Sequence, residues 1–234
     1  MSVYDQPDFF TAYAQMSRSR EGLSGAGEWP QMRALFPDVR GMRVLDLGCG
    51  YGWHCRYAAD MGATAVTGID ASSRMIAEAQ RRNPHPHIAY RVCDLADYEY
   101  PPSAYGLVVS NLVLHYVADL DAVYRRIHRT LAPGGVFLMN IEHPAFTAGV
   151  NQQFSPDGAW PIDGYFCPGE RQTQFLGHTV RKQHHTLTQI LMGLLHTGFI
   201  LEAVEEAMPP LEWRAAMPEE MRRPMMLLVR ARKA

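Results

Sequence analysis

Val44-Leu45-Asp46-Leu47-Gly48-Cys49-Gly50-Tyr51-Gly52 is the stretch from which the fold of this chain is read. A short apolar run from Arg43 to Leu47, closed by glycines at alternate positions, reads as a strand entering a glycine turn. Trp53, Tyr57, Ala58 and Met61 follow at helical spacing, and Gly62 ends that helix.

The same rhythm repeats downstream. Ala65 to Ile69 is a second apolar strand closed by Asp70, and Ser72 is placed to cap a helix through Met75, Ile76 and Ala79. His87 to Cys93 alternates like a third strand and ends at Asp94. Leu107 to Ser110 reads as strand four. Leu120, Val123, Tyr124, Ile127 and Leu131 mark one face of a helix stopped by Pro133-Gly134-Gly135, and Val136 to Ile141 is strand five. A helix from Leu187 to Leu195, a strand from Phe199 to Val204 and a last strand from Met225 to Val229 complete the pattern. Helices alternating with short, wholly apolar strands imply a parallel sheet covered on both faces.

Residues 1–40 read as short helices forming an N-terminal cap on a domain of residues 41–234. Residues 142–185 and 207–224 break the rhythm. Phe146, Phe154, Trp160, Tyr165 and Phe166 in the first of these predict a lid over an apolar pocket.

Composition narrows the function. The chain has 234 residues, 47% of them hydrophobic, with 22 basic against 24 acidic side chains and a net charge of −2. That length buries a full core without metals or disulfides. No basic face is visible, so no nucleic-acid partner is expected. No apolar run approaches the roughly 20 residues of a membrane span, and the N-terminus Met1-Ser2-Val3-Tyr4-Asp5 does not read as a signal peptide. Four cysteines without a CxxC pair fit reduced thiols in a cytoplasmic protein. The ten histidines show no ligand spacing, so no metal is expected.

Asp46, Asp70 and Asp94 stand 24 residues apart, each at the end of an expected strand. Right-handed crossovers bring those ends together on the sheet edge where ligands of open α/β folds bind. A dinucleotide fingerprint needs glycine where Trp53 stands, and no GxxxxGK[ST] is present for a triphosphate. Three acids suit a ligand with hydroxyls, amines and positive charge.

Val44 to Gly52 resembles the first motif of class I S-adenosylmethionine-dependent methyltransferases. Asp70 is similar to the acidic ribose motif, Cys93-Asp94-Leu95 to the adenine motif, and Ser110-Asn111-Leu112-Val113-Leu114-His115-Tyr116 to the strand-four motif. Leu131-Ala132-Pro133-Gly134-Gly135 matches the turn before strand five, and His185-Thr186-Leu187 through Gly198-Phe199 resembles the small-molecule methyltransferases of the type 11 group. The resemblance implies a doubly wound, Rossmann-like seven-stranded sheet with its last strand antiparallel, S-adenosyl-L-methionine as cofactor and a small-molecule methyl acceptor. It also implies roles. Asp46 and the loop of Gly48, Cys49 and Gly50 would hold the amino-acid end of the cofactor. Asp70 would take the ribose diol, Ala71 and Met75 would pack near the adenine, and Asp94 and Leu95 would receive its amine. Asn111 would lie under the methionine moiety, with Tyr13 and Arg18 closing over it.

A general base is needed only where the acceptor arrives protonated. His115, after strand four, and His143, after strand five, are the candidates, while His184-His185 reads as a solvated or capping pair. The rival readings are a methyltransferase acting on RNA or protein and a catalytically silent cofactor-binding partner subunit. The chain is expected as a monomer or homodimer.

Overall fold

The computed structural model describes residues 3–234, so Met1 and Ser2 of the expected cap lie outside the described residues. Strands β1 (Arg43–Leu47), β2 (Ala65–Asp70), β3 (Ile88–Val92), β4 (Tyr105–Asn111) and β5 (Leu131–Glu142) pair in parallel. After a two-stranded excursion, β8 (Phe199–Glu206) and β9 (Met226–Lys233) complete a seven-stranded sheet of order β3-β2-β1-β4-β5-β9-β8. Strand β9 runs antiparallel to both of its neighbours, as expected for the last strand.

The central strands are buried on both faces of the sheet, and side-chain alternation shows why. Leu45 and Leu47, Val108, Phe137 and Met139 enter one core. The intervening Val44, Leu107, Val109, Val136 and Leu138 enter the other. The first core is covered by α6 (Leu120–Thr130) and α8 (Leu187–His196), the second by α3 (Trp29–Leu35), α4 (Trp53–Asp60) and α5 (Ser73–Arg82). Ser72 caps α5 as its position predicts, its hydroxyl accepting from the Met75 N–H. Two short helices, α1 (Pro7–Ala14) and α2 (Ser17–Arg20), precede α3 in the cap, and one turn, α7 (Pro144–Thr147), follows β5.

The segment 142–185 departs from its reading as a loop. It carries an antiparallel hairpin, β6 (Gly169–Phe175) and β7 (His178–His184). Leu176 and Gly177 at its tip both have positive φ, 53° and 79°, as a tight two-residue hairpin turn requires. The lid aromatics are placed differently too. Phe146 and Trp160 stack with centroids 5.5 Å apart, and the Arg223 guanidinium lies 4.5 Å from the Trp160 centroid. That cation–π staple ties residues 146–160 to the stretch before β9. Phe166 is 87% exposed. No helix among the described residues is long and apolar enough to cross a membrane.

Candidate active site

A cavity of about 1120 Å³ opens at the carboxyl ends of β1, β2, β4 and β5. Residues 3–6 and 13–18 form one side of it, and Phe175 with Thr179–Lys182 of the hairpin forms another. Such a volume lies just above the usual range of small-ligand sites, roughly 300–1,000 Å³.

The glycine turn shapes the floor. Gly48 has φ +67°, and a Cβ there would stand 2.2 Å from Val113 Cγ2. Gly50 has φ +52°, and a Cβ there would meet nothing within 4 Å. The first glycine is demanded by packing and the second leaves the cavity wall bare. Gly50 N donates to Asp70 Oδ2 at 3.0 Å, and Ser72 N donates to Asp70 Oδ1 at 2.8 Å. These two bonds aim the carboxylate at the end of β2. Burial pushes the Asp70 carboxyl up to about 6, against those N–H groups and with help from the charges of Asp5 and Asp94. Asp5 reaches this corner from the cap, accepting from the Ser72 hydroxyl at 2.7 Å.

Ala71, Met75, Asp94 and Leu95 line the same lobe, beside Val92 and Cys93 at the end of β3. Asp94 Oδ1 accepts from Ala96 N at 2.8 Å, closing its loop into a turn. Asn111, at the end of β4, is fixed from beneath by Asn140 of β5, whose Nδ2 donates to Asn111 Oδ1 at 2.8 Å. Leu112 follows in the left-handed region, φ +57°, at the cavity wall. Tyr13 and Arg18 lie beside this lobe, and each Arg18 Nη sits 3.1 Å from a Glu28 carboxylate oxygen.

His115 and Tyr116 line the far lobe together with Glu142, Val180 and Lys182. Burial pushes the His115 imidazole down to about 4, against the nearby Glu142 charge. The imidazole is therefore neutral at pH 7. Lys182 Nζ donates to Glu142 Oε1, and His115 Nε2 stands 3.9 Å from the same oxygen.

Three of the residues singled out in sequence are not brought to this cavity. Asp46 is 1% exposed beneath the turn, where Oδ2 accepts from the Cys55 thiol at 3.2 Å and burial pushes its carboxyl up to about 7. It stands one residue before the strand end, so the pleat turns it under the turn. Cys49 is likewise buried behind the loop, its thiol in the second core facing Gly68 of β2. His143 caps α7 through Nδ1, which accepts from Ala145 N at 3.0 Å, and its Nε2 stands 3.1 Å from Glu206 Oε1. The turn at Pro144 sends its ring away from the cavity. His184 and His185 are buried rather than solvated. His184 lies between Thr147 Oγ1 and the Tyr165 carbonyl, and His185 Nε2 lies 2.8 Å from the Val117 carbonyl.

Sequence reasoning missed Glu142, Lys182, Asn140 and Asp5. Glu142 was legible as the acid closing strand five. Lys182 was not, because a lysine in a polar stretch signals a solvated strand.

Comparison with known proteins gives a consistent result. A family profile described as methyltransferase domain matches residues 45–139. The solved structure of an S-adenosylmethionine-dependent methyltransferase from Mesorhizobium loti is 42% identical and superposes with a TM-score of 0.85, covering 91% of this chain and 100% of that one. The N-demethylindolmycin N-methyltransferase of Streptomyces griseus is 31% identical over 71% of this chain and 73% of its own length. A Haemophilus influenzae protein of unassigned function is 27% identical over the whole of this chain and 97% of its own.

Proposed function

This chain belongs to the class I S-adenosylmethionine-dependent methyltransferases, and on that premise we propose that its methyl acceptor is a small molecule received in the far lobe of the cavity, with His115 as general base. The observation that carries the reading is the lining of the cavity, which changes along the sheet edge. The ends of β1 to β4 with Asp70 and Asp94 wall one side, the near lobe, and the hairpin with His115 and Glu142 walls the other, the far lobe.

The near lobe fits the cofactor. Gly50 leaves open the space a Cβ would fill, and the Asp70 carboxylate, unneutralised among Asp5 and Asp94, favours a ligand that is cationic and rich in hydroxyl donors. Asp70 would take the ribose diol, Asp94 and Leu95 the adenine amine, and Ala71 and Met75 would flank the base. Asn111, Tyr13 and Arg18 would enclose the amino-acid end, with Gly48 and Gly50 offering backbone. S-adenosylmethionine, when bound, supplies an electrophilic methyl group on a positively charged sulfur.

The chain's own task is then positional. Displacement at carbon gains most from holding the nucleophile in line at near-attack distance. The hairpin and cap line the cavity around that line, and a neutral His115 holds a lone pair for the proton of a hydroxyl acceptor. The reading of a small acceptor is supported by the side chains of the cap and hairpin that close around the far lobe, and by the small-molecule acceptor named for the Streptomyces griseus relative.

The test is methyl transfer from radiolabelled S-adenosylmethionine to a panel of small hydroxyl, amine and carboxylate acceptors, run beside total RNA and denatured protein. Label in the small-molecule fraction alone is expected. Label confined to RNA or protein, or tight binding without turnover on any acceptor, would overturn the reading.

A further inference from the structure

We propose that Glu142 and Lys182, paired across the seam between the sheet and the hairpin, are positioning residues for the His115 imidazole. The proposal rests on the reading of His115 as base and extends it to residues on two other elements.

The geometry is specific. Glu142 ends β5, Lys182 lies in β7, and His115 sits in the turn after β4; all three line the far lobe. Their exposures are 9%, 5% and 3%. Glu142 Oε1 is the shared atom, bonded to Lys182 Nζ and 3.9 Å from His115 Nε2. Two further buried atoms, Glu142 Oε2 and His115 Nδ1, find no hydrogen-bond partner in the protein. A structural ion pair satisfies its own lone pairs; this one leaves a buried carboxylate oxygen and a buried imidazole nitrogen unpartnered in residues that line the cavity.

The chemistry follows from charge. When the imidazole accepts the hydroxyl proton, the O–H electron pair stays on the acceptor oxygen and His115 becomes a cation. Glu142 favours that cation and Lys182 disfavours it. The other groups facing the ring are His185, following β7, which also disfavours the cation, and Tyr116, whose ring lies 4.5 Å away. Lys182 thus has two effects: it is the charge partner of Glu142 Oε1, and it adds to burial in disfavouring the His115 cation. Because Lys182 is carried by the hairpin, the base is tuned only while the hairpin is docked.

The experiment is an NMR titration of the His115 side chain in full-length protein labelled with 15N-histidine, free and with S-adenosylhomocysteine, with His115→Asn assigning the signal. Glu142→Gln is expected to lower the His115 pKa, and Lys182→Met to raise it by roughly one pH unit or more. The double variant leaves no lone buried charge, so it guards against misfolding of either single one, and its His115 pKa is expected between theirs. Changes of the same sign in both single variants, or no change in the double and both singles, overturn the proposal. Turnover separates the two ideas. If His115→Ala keeps full activity while the two changes keep their opposite signs, the base reading falls and the coupling stands.

Discussion

The rings of Phe9 and Phe175 meet edge to face with centroids 5.8 Å apart, one on the cap helix α1 and the other at the end of β6. Phe9 is fully buried and also meets His178, across the hairpin tip, at 5.5 Å. Cap and hairpin are thereby one packed unit over the cavity. Phe9→Ala should destabilise the protein by about 3–5 kcal/mol. Hydrogen exchange should speed up in both residues 7–14 and 169–184; faster exchange in the cap alone would show the two segments to be independent.

The two glycines of the turn should fail differently. Gly48→Ala drives a methyl into Val113 and should lower the unfolding midpoint markedly. Gly50→Ala has room, so its stability cost is only that of left-handed backbone, about 1–2 kcal/mol. Its methyl stands where the cofactor would lie, so affinity should collapse in a folded protein. Thermal unfolding and calorimetric titration with S-adenosylhomocysteine together check this.

Cofactor affinity should depend on Asp70 and on pH. In the free protein this carboxyl titrates at about 6, and a bound cation favours its ionised form. Binding therefore releases a proton below that pH. Affinity should rise with pH through about 6 and level off above it. Asp70→Asn removes a charge-assisted bond of roughly 1.5–3 kcal/mol, a ten- to hundredfold loss at pH 7.5, and should flatten the pH profile. Calorimetry in buffers of different ionisation heat reads both.

Asp46 should answer in stability instead. Its folded pKa is raised to about 7, so the folded chain holds a proton that the unfolded chain sheds near pH 4. Stability is greatest below that point, falls as pH climbs toward 7 and is level beyond. Asp46→Asn lacks this loss, so its advantage over the wild type should grow between pH 4 and 7 by up to a few kcal/mol, on the order of 1.4 kcal/mol for each pH unit crossed. Urea unfolding at four pH values is sufficient; a constant difference would contradict it.

The two histidines should separate cleanly. His115→Ala is expected to depress turnover on a hydroxyl acceptor by about 10²–10⁴-fold with cofactor affinity nearly intact. His143→Ala loses a helix cap, about 0.5–2 kcal/mol of stability, together with its contact to Glu206, and should keep its turnover.

What was readable in the sequence was what neighbours in the chain decide. The strands of the seven-stranded sheet, the glycine turn and the Ser72 cap come from local periodicity and local hydrogen bonds and stand close to where the pattern puts them, except that residues 131–135, read as the helix end and its stop, already belong to β5. The far lobe depends on distant partners. Lys182 is buried because a carboxylate 40 residues earlier receives it, and no pattern within the hairpin announces that. The direction of His143 turns on one proline, and that of Asp46 on a single step of the pleat.

One consequence of the hairpin lies in how such a protein diversifies. Its ladder of backbone bonds is closed on itself, from Gly169 opposite His184 to Phe175 opposite His178, so none of the sheet's register depends on it. Val180, Lys182 and His184 are the buried positions of β7, alternating with more exposed ones. Exchanging one of those alternate side chains rewrites the chemistry of one wall and leaves the strand ends around Asp70 as they were. A lineage built this way can change what it modifies while inheriting its methyl donor unchanged.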